Sequence, residues 1–301
     1  MNVFLTGATG YIGGAVADAL QHAGHSVLGL AHSEKAARVL QERGISPLPG
    51  DLRDPASITQ GAQQVSAVIH AAAMNSSDMA EVDIAVVNSI LTALEGTNRS
   101  FIYTSGCWVL GSTGDTIADE ESPTDAPGLV AWRPALEQRI LAAAERGVRS
   151  VVIRPAVVYG RSGGIPAMLI TLARREGVAR YIGTGENHCP MVHVDDLADA
   201  YVRALTKAPA GTLFNVPGGP ALRSKEIAQA ISQAAGLGGR TESWSLDAAR
   251  QVLGPLADAL ALDLQFSGAR AQRLLGWAPH APSVLDDLLH GSYYTEIPSS
   301  L

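Results

Sequence analysis

Three glycines near the start of the chain carry the clearest chemical signal in the sequence. Gly7, Gly10 and Gly13 are spaced three residues apart. An apolar run at 3–5 precedes them, and a helix is predicted over 15–23. Glycine lets the backbone turn sharply and approach a ligand, and the free N–H groups of a helix N-terminus attract an anion. The pattern predicts a cradle for the pyrophosphate of a dinucleotide, unless the glycines only permit close packing of a helix on a sheet.

The end of the next apolar run bears on which dinucleotide is bound. An NAD site of this kind usually has a carboxylate there, which binds the ribose 2′-hydroxyl. Here the run ends at Ala31 and is followed by His32, Ser33, Glu34 and Lys35. No carboxylate at the tip would repel a 2′-phosphate, and His32, Ser33 and Lys35 can donate to one, so NADP(H) is favoured over NAD(H). Alternatively, His32 is an exposed loop residue and Ser33 is the N-cap of the following helix.

The elements that must position these residues alternate between strands and helices. Further strands are predicted at 26–31, 45–48, 67–70, 101–105 and 150–153, and helices at 34–43, 81–94 and 129–146. A short helix is expected to start at Pro55, since proline is tolerated in the first helical turn. The alternation predicts the α/β class, with a Rossmann-type doubly wound parallel sheet.

The composition is that of an ordinary globular protein whose partners are small molecules. Hydrophobic residues make up 47% of the chain and charged residues 17%, which allows a large core. The formal net charge of -7 opposes a nucleic-acid partner, because such partners are bound by basic surfaces. The two cysteines form no disulfide framework or metal-ligand spacing, and no signal segment or membrane-length apolar run is found. We therefore expect a cytoplasmic protein without a membrane partner or a metal ion.

Several further motifs extend the pattern along nearly the whole chain. Together with the glycine turn at 6–13, they are Gly-Asp-Leu at 50–52, Val-Ile-His-Ala-Ala at 68–72, Arg-Pro-Ala-Val-Val-Tyr-Gly at 154–160, Val-His-Val-Asp-Asp-Leu-Ala at 192–198 and Leu-Gly-Trp at 275–277. This set resembles the extended short-chain dehydrogenase/reductase family, which includes nucleotide-sugar epimerases and dehydratases. The resemblance implies a Rossmann domain at 1–160, to which 192–216 return. It also implies a smaller C-terminal substrate lobe at 161–191 and 217–301.

The resemblance also implies which residues hold the cofactor. Asp51 and Leu52 are expected near the adenine, and the alanines at 71–73 are small enough for a flat ligand to lie against the backbone. The expected cofactor residues belong to the glycine turn and to the ends of strands: Gly7, Thr9, Gly10, Tyr11, Ile12, Gly13, His32, Ser33, Asp51, Leu52, Ala71, Ala72, Ala73, Thr104, Arg133, Pro155 and Val157.

The catalytic residues of that family are a Ser or Thr, a Tyr and a Lys, the last two in a Tyr-x-x-x-Lys turn. The tyrosine exchanges a proton with the substrate oxygen, the lysine lowers its pKa, and the hydroxyl residue polarises the carbonyl. A glutamate commonly follows the lysine by four positions, and Glu137 sets this register. Leu129 then falls at the tyrosine position and Arg133 at the lysine position. Gly106 falls at the hydroxyl position, one residue after Ser105.

This departure from the family pattern changes which residues can do chemistry. Leucine cannot exchange a proton, and arginine stays protonated in any ordinary site. Arg133 can still bind a ribose, a phosphate or a substrate carboxylate, or it can pair with Glu137 one helical turn away.

A proton donor must come from elsewhere in the site, and we name Ser105, Arg133 and Tyr159 as the candidate catalytic residues. Tyr159 is alternatively a packing residue, and His70 and His193 are expected to be structural. The possible donors are bound water and these side chains: Ser105, Cys107, Tyr159 and His188.

Three functions are compatible with these residues. The first is an NADP(H)-dependent oxidoreductase that reduces a carbonyl or a conjugated double bond of a small molecule. Its substrate is expected to be hydrophobic, because Trp108, Val109, Leu129 and Trp132 give the site an apolar mouth. The second is an isomerase, dehydratase or cyclase that uses the same pocket without net redox change. The third is a regulatory protein that senses a dinucleotide.

Two surface features complete the expectations. The loop 111–128, rich in Asp, Thr, Ser and Pro, is expected to act as a rim or lid of the site. The family resemblance implies a homodimer formed by the helices at 81–94 and 129–146. The Ala- and Leu-rich faces of these helices would equally pack on the sheet.

Overall fold

A computed structural model of the chain describes residues 1–74 and 76–294. These residues contain thirteen strands and twelve α-helices. The strands are β1 (Asn2–Thr6), β2 (Ser26–Ala31), β3 (Ser46–Pro49), β4 (Ala67–His70), β5 (Ser100–Thr104), β6 (Arg149–Pro155), β7 (Val157–Tyr159), β8 (Ala179–Ile182), β9 (His188–Cys189), β10 (Met191–His193), β11 (Thr212–Val216), β12 (Leu222–Arg223) and β13 (Thr241–Trp244).

The α-helices alternate with the strands from β1 to β6. Three short 3-10 helices, Cys107–Leu110, Gly128–Val130 and Ala143–Arg146, complete the secondary structure of the described residues. The α-helices are α1 (Tyr11–His22), α2 (Glu34–Glu42), α3 (Pro55–Gln63), α4 (Met79–Leu94), α5 (Arg133–Ala142), α6 (Gly164–Glu176), α7 (Val194–Lys207), α8 (Ser224–Ala234), α9 (Leu246–Leu253), α10 (Leu256–Leu260), α11 (Ala269–Leu275) and α12 (Val284–His290).

A seven-stranded parallel sheet forms the centre of the molecule, in the order β11-β6-β5-β4-β1-β2-β3. Alternate side chains of β1 enter the apolar cores on its two faces, with Val3 and Leu5 in one core and Phe4 in the other. The strand order reverses between β1 and β4, where ligands bind in open α/β sheets. The predicted Rossmann-type doubly wound sheet is thereby confirmed.

The C-terminal part of the described chain adds small sheets to this core. β8 pairs with β13, β9 with β12, and β7 with β10. β11 joins the edge of the central sheet beside β6, and α7 packs against α1. The division into a Rossmann domain and a substrate lobe stays a prediction, and residues 295–301 of the predicted lobe lie outside the described residues.

The predicted helix over 129–146 is wrong at both ends. Residues Gly128–Val130 form a 3-10 turn, α5 starts at Arg133, and a second 3-10 turn follows it at 143–146. Pro134 explains the late start, because proline lacks an N–H and fits only the first turn of a helix. The positions aligned with Tyr-x-x-x-Lys therefore do not share one α-helix here.

Membrane spans, metal clusters and disulfides are all absent from the described residues. None of their helices is both long enough and apolar enough to cross a bilayer. They contain no group of three or more His, Cys, Asp or Glu side chains arranged to hold a metal ion. Cys107 and Cys189 are both free thiols.

Candidate functional site

The glycine turn is closed tightly against the loop that follows β4. Gly7 has a φ of +80°, and a Cβ there would lie 2.8 Å from the backbone of Ala71. A Cβ on Gly13 would lie 2.1 Å from the carbonyl oxygen of Gly7. The Gly10 N–H donates to that same oxygen at 2.8 Å. Any side chain at Gly7 or Gly13 would thus force the turn open.

Helix α1 presents a bare N-terminus to this turn. Its N-cap, Gly10, is extended and supplies no side-chain cap, so the first N–H groups have no side-chain acceptor. Arg43, which follows α2, braces the turn by donating to the carbonyls of Ala8 at 3.0 Å and Gly14 at 2.7 Å and pairing with Asp18 at 2.6 Å. Arg43 was not predicted from the sequence, because nothing local ties it to the glycines.

A cavity of about 520 Å³, which we call the dinucleotide cavity, opens in front of this turn. Its glycine backbone and uncapped helix fit a pyrophosphate, so the residues present suit a dinucleotide. Leu30, Arg53 and Met74 line it without having been predicted. The predicted cofactor residues that line it are Gly7, Thr9, Gly10, Tyr11, Ile12, His32, Asp51, Leu52, Ala71, Ala72 and Ala73.

The far end of the dinucleotide cavity holds the residues that were predicted to choose the dinucleotide. His32 is exposed there. The Ser33 hydroxyl accepts from the N–H of Ala36 at 3.2 Å, so Ser33 caps α2 as its alternative interpretation held. Its oxygen accepts in this bond, so the hydroxyl hydrogen is still available to a ligand. Three carboxylates line the space of about 470 Å³ beside these residues: Glu34, Asp51 and Asp54.

A second cavity of about 280 Å³, which we call the apolar cavity, adjoins the first. The two share Tyr11, Ile12 and the alanines at 71–73. Thr104, Ser105 and Arg133 bring side-chain hydrogen-bonding groups to its wall. The remaining residues that line it are Gly106, Cys107, Trp108, Val130, Pro155, Ala156, Val157, Val158, Gly164 and Ile165.

The predicted apolar mouth is only partly right. Trp108 lines the apolar cavity, but Val109 is fully buried in the core and Leu129 packs against it. The 3-10 turn at Gly128–Val130 brings Val130, rather than Leu129, to the wall. Trp132 packs instead in the core on the other face of the sheet. The cavity is apolar as expected, but mostly through other side chains.

Ser105 and Arg133 both line the apolar cavity, and each has a buried hydrogen-bonding group without a partner. Ser105 is 4% exposed, and its Oγ has no hydrogen-bond partner. The Nε of Arg133 is also buried without a partner, and its guanidinium carbon lies 5.5 Å from the centroid of the Trp132 ring. A Cβ on Gly106 would lie 3.5 Å from Arg133 Nη1, an ordinary contact distance, so Gly106 lies directly beside the guanidinium. Unpaired buried polar groups are costly, and these two are available to a ligand in the cavity.

Arg133 does not form the alternative ion pair with Glu137. Glu137 is 2% exposed and accepts from the Nε of Arg154 at 3.0 and 3.2 Å, with a further contact from Nη2. Arg154 belongs to β6, so this buried pair fastens α5 to the sheet. The expected pairing is wrong because Glu137 points inward rather than along the helix surface.

Asp83 of α4 is a largely buried carboxylate that holds Trp132, the residue whose ring lies beside Arg133. Its Oδ2 accepts from the Tyr103 hydroxyl at 2.6 Å and from the Trp132 Nε1 at 2.8 Å. Its Oδ1 lies 2.9 Å from His70 Nε2, and His70 Nδ1 lies 2.6 Å from Thr6 Oγ1. Burial raises the pKa of Asp83, because it disfavours the charged carboxylate. The hydrogen bond and charge of His70, with the hydrogen bonds from Tyr103 and Trp132, lower it by more, so the pKa of Asp83 is lowered overall. The structural interpretation of His70 agrees with these contacts.

Tyr159 and His193 serve the structure rather than the cavities. The Tyr159 hydroxyl donates to the carbonyl of Pro282 at 2.7 Å, and its ring meets His193 edge-on at 5.2 Å. Burial raises the pKa of Tyr159, and the residue lines neither cavity. His193 caps α7 by accepting from the Asp195 N–H at 3.2 Å. The structure thus separates Tyr159 from Ser105 and Arg133.

The other two candidate donors are also occupied or inert. His188 Nδ1 lies 2.8 Å from a carboxylate oxygen of Asp263, and His188 lines neither cavity. Cys107 does line the apolar cavity, but burial raises the pKa of its thiol, which therefore stays protonated.

The loop 111–128 lines neither cavity in the described structure, so it is not their rim. It is tied to a C-terminal segment instead. The Thr113 N–H donates to the Asp263 carbonyl at 2.7 Å, and the Ala118 N–H to the Gln265 carbonyl at 3.0 Å. The composition predicted a loop but gave no sign of these partners, which lie far along the chain.

The parallel sheet, the bare helix and the glycine turn define a dinucleotide-binding α/β protein of Rossmann type. The chain belongs to the NAD dependent epimerase/dehydratase family, whose model matches residues 3–217. An uncharacterized protein of Schizosaccharomyces pombe is 34% identical over 300 residues, which cover 98% of this chain and 100% of that protein. A 2-alkyl-3-oxoalkanoate reductase of Stenotrophomonas maltophilia is 27% identical, with 78% of this chain and 76% of that protein covered.

The fold is also that of known enzymes. The crystal structure of UDP-glucose 4-epimerase from Thermus thermophilus, a complex with NAD, has a TM-score of 0.80 and 20% identity. The match covers 99% of this chain and 100% of that one. The predicted family membership is therefore confirmed. Along the described lining of the apolar cavity, however, Tyr11 is the only tyrosine, lysine is absent, and the Tyr11 hydroxyl donates to the carbonyl of Gly160 at 2.8 Å.

Proposed function

We propose that the protein is an NADP(H)-dependent oxidoreductase of atypical short-chain dehydrogenase type. It reduces a carbonyl or a conjugated double bond of a small, hydrophobic molecule. The observation that carries the proposal is the junction of the two cavities along Tyr11, Ile12 and the alanines at 71–73. An apolar cavity that opens on a dinucleotide site suits a hydrophobic substrate. The name of the Stenotrophomonas relative, an oxoalkanoate reductase, supports a carbonyl substrate.

A bound nicotinamide dinucleotide would supply hydride chemistry, and the chain's residues bind and polarise the substrate. The Ser105 hydroxyl can donate to a substrate oxygen in the apolar cavity. Arg133 adds positive charge that stabilises an oxygen anion, but a guanidinium does not give up its proton. Since Cys107 is held protonated by burial and Tyr159 lies elsewhere, water supplies the proton.

The preference for NADP(H) rests on the far end of the dinucleotide cavity. His32 is exposed on its wall, and the hydroxyl hydrogen of Ser33 is not used by the helix cap. Both groups can donate to a 2′-phosphate. NADPH is therefore expected to bind more tightly than NADH, and a clear preference for NADH in a fluorescence titration would overturn this part of the proposal.

The test of the reaction is substrate-dependent NADPH oxidation by the purified protein. A panel of hydrophobic ketones, enones and oxo acids is followed by NADPH absorbance, and products are identified by mass spectrometry. The proposal expects one NADPH consumed for each molecule reduced. Product formation without net NADPH consumption would instead support a redox-neutral isomerase or dehydratase, which family membership also favours. Tight NADPH binding without turnover of any compound would favour a sensor.

The oligomeric state stays a prediction. The outer faces of α4 and α5 expose small and polar side chains, among them Ala85, Asn88, Ala135 and Gln138. We propose that these faces pair in a homodimer. A monomeric mass by light scattering would contradict this.

A further inference from the structure

The apolar cavity contains hydrogen-bonding capacity that the protein itself does not use. Within the described residues, the Ser105 Oγ and the Arg133 Nε both lack hydrogen-bond partners, and Arg133 makes no ion pair. Ser105 is 4% exposed, so bulk water does not readily satisfy it. Arg133 itself is half-buried, and because its buried Nε has no partner, a ligand that supplies a counter-ion would stabilise it.

Neither of the nearby acidic groups forms an ion pair with Arg133 in the described structure. Glu137 is committed to Arg154 in the buried pair. Both oxygens of Asp83 are committed to neighbouring donors. Burial raises the pKa of the Tyr103 and Tyr201 phenols, so both stay neutral beside the guanidinium. The positive charge of Arg133 is therefore available to a ligand.

The shape and lining of the cavity restrict what that ligand is. A guanidinium is planar and matches the two oxygens of a carboxylate, and the Ser105 hydroxyl adds a further donor. The rest of the wall is mainly apolar, including Trp108, Val130 and Ile165. A dianionic phosphate would bring more charge than one arginine and one hydroxyl can satisfy, whereas a monoanion matches them.

We propose that the apolar cavity recognises a small apolar monocarboxylate, whose carboxylate is held by Arg133 and Ser105. This inference rests on the proposed function only for the claim that the bound molecule is also reduced. Binding itself is independent of turnover.

We assign Arg133 and Ser105 to the substrate, because both line the apolar cavity and neither lines the dinucleotide cavity. Three other residues predicted to bind the cofactor, Thr104, Pro155 and Val157, also line the apolar cavity, and Arg133 lines a small space beside Asp83 as well. Trp132 lies under the guanidinium and is itself held by Asp83 at 2.8 Å. The position of Arg133 is thus fixed from α4 through the Trp132 ring.

The test compares a carboxylate with its neutral amide by isothermal titration calorimetry. The probes are 4-phenylbutanoate and 4-phenylbutanamide, each titrated with and without saturating NADP⁺. Charge-assisted hydrogen bonds to a carboxylate predict about 10- to 100-fold tighter binding of the acid. Arg133→Met should abolish this preference, Arg133→Lys should retain part of it, and Ser105→Ala should reduce it about fivefold.

A matched control comes from the same helix. Arg139 lies on the exposed face of α5, where its Nη1 donates to Asn88 Oδ1 at 2.7 Å, and Arg139→Met should leave the preference unchanged. Melting temperatures of all variants show whether each is folded. Equal affinities for acid and amide in the wild type would overturn the inference, as would an Arg133→Met variant that lost NADP⁺ affinity but kept the preference.

The experiments distinguish failure of the proposed reductase function from failure of the proposed carboxylate site. Turnover of neutral ketones without any carboxylate preference would leave the reductase standing and remove the carboxylate site. Carboxylate binding that depends on Arg133, with no NADPH oxidation for any compound, would keep the site and remove the reductase.

Discussion

The two halves of the site are built by different means. The dinucleotide cavity is made largely from backbone, through Gly7, Gly10, Gly13 and the bare end of α1. The polar wall of the apolar cavity is made from side chains, and it depends on buried contacts between α4, α5 and the sheet. A backbone cradle tolerates little change in sequence, whereas a pocket of side chains can be refitted by few substitutions. The chain accordingly has the fold of its family, while the described lining of the apolar cavity contains no lysine and Tyr11 as its only tyrosine.

The largest effect on stability is expected from breaking the buried ion pair between Glu137 and Arg154, which supports the side-chain wall of the apolar cavity. Glu137→Ala leaves Arg154 buried without its partner, which is expected to cost about 3–5 kcal/mol in the free energy of unfolding. Urea denaturation measures this. Replacing both residues by Met should recover most of the loss, because no unpaired charge remains. A loss below about 1 kcal/mol for Glu137→Ala would show that the pair does not fasten α5.

The second largest effect is expected when a methyl group is added to the glycine turn by Gly13→Ala. The Cβ of Gly13→Ala would lie 2.1 Å from the Gly7 carbonyl oxygen, so the turn must open, and dinucleotide affinity should fall about 100-fold, or ~2.7 kcal/mol. Gly14→Ala is the matched control, because its Cβ meets only the Arg43 side chain, at 3.4 Å, and a carbonyl oxygen at an ordinary contact distance of 3.7 Å. Fluorescence titration with NADPH compares the two. Similar affinities for both variants would contradict a backbone-built cradle.

The contribution of Asp83 to the stability of the protein is expected to depend on pH. The pKa of Asp83 is lowered on folding, so its contribution to stability is complete above the ordinary Asp pKa of about 3.9 and is lost as pH falls through the folded value. Asp83→Asn should therefore cost about 2 kcal/mol near pH 7, and the difference from wild type should shrink below about pH 4. Urea unfolding across this range measures it. A difference that grows in acid would contradict the lowered pKa.

The smallest effect is expected at the rim of the dinucleotide cavity. His32→Asp places a carboxylate where a 2′-phosphate is proposed to bind, and the exposed position moderates the repulsion. NADPH affinity should fall about tenfold, or ~1.4 kcal/mol, relative to NADH. His25→Asp, remote from the cavity lining, serves as a control. An unchanged NADPH to NADH ratio would remove His32 from cofactor selection.

The sequence predicted the alternating strands and helices and the cradle because both depend on local residue patterns. A glycine turn between a strand and a helix spans a dozen residues, and its steric demands are visible in the residue types. The polar half of the site depends on pairs distant in the chain, such as Asp83 with Trp132 and Glu137 with Arg154. No spacing rule reveals such pairs. Pro134 was the one local signal that could have corrected the start of α5.

Whether the two cavities work together as a reductase is tested most directly by one assay. The wild-type protein is incubated with NADPH and 2-oxo-4-phenylbutanoate, an apolar oxo acid, and NADPH oxidation is compared with hydroxy acid formation. We expect the two to rise together in a ratio of about one to one, as a two-electron reduction requires. Binding of both compounds without consumption of either would contradict a reductase.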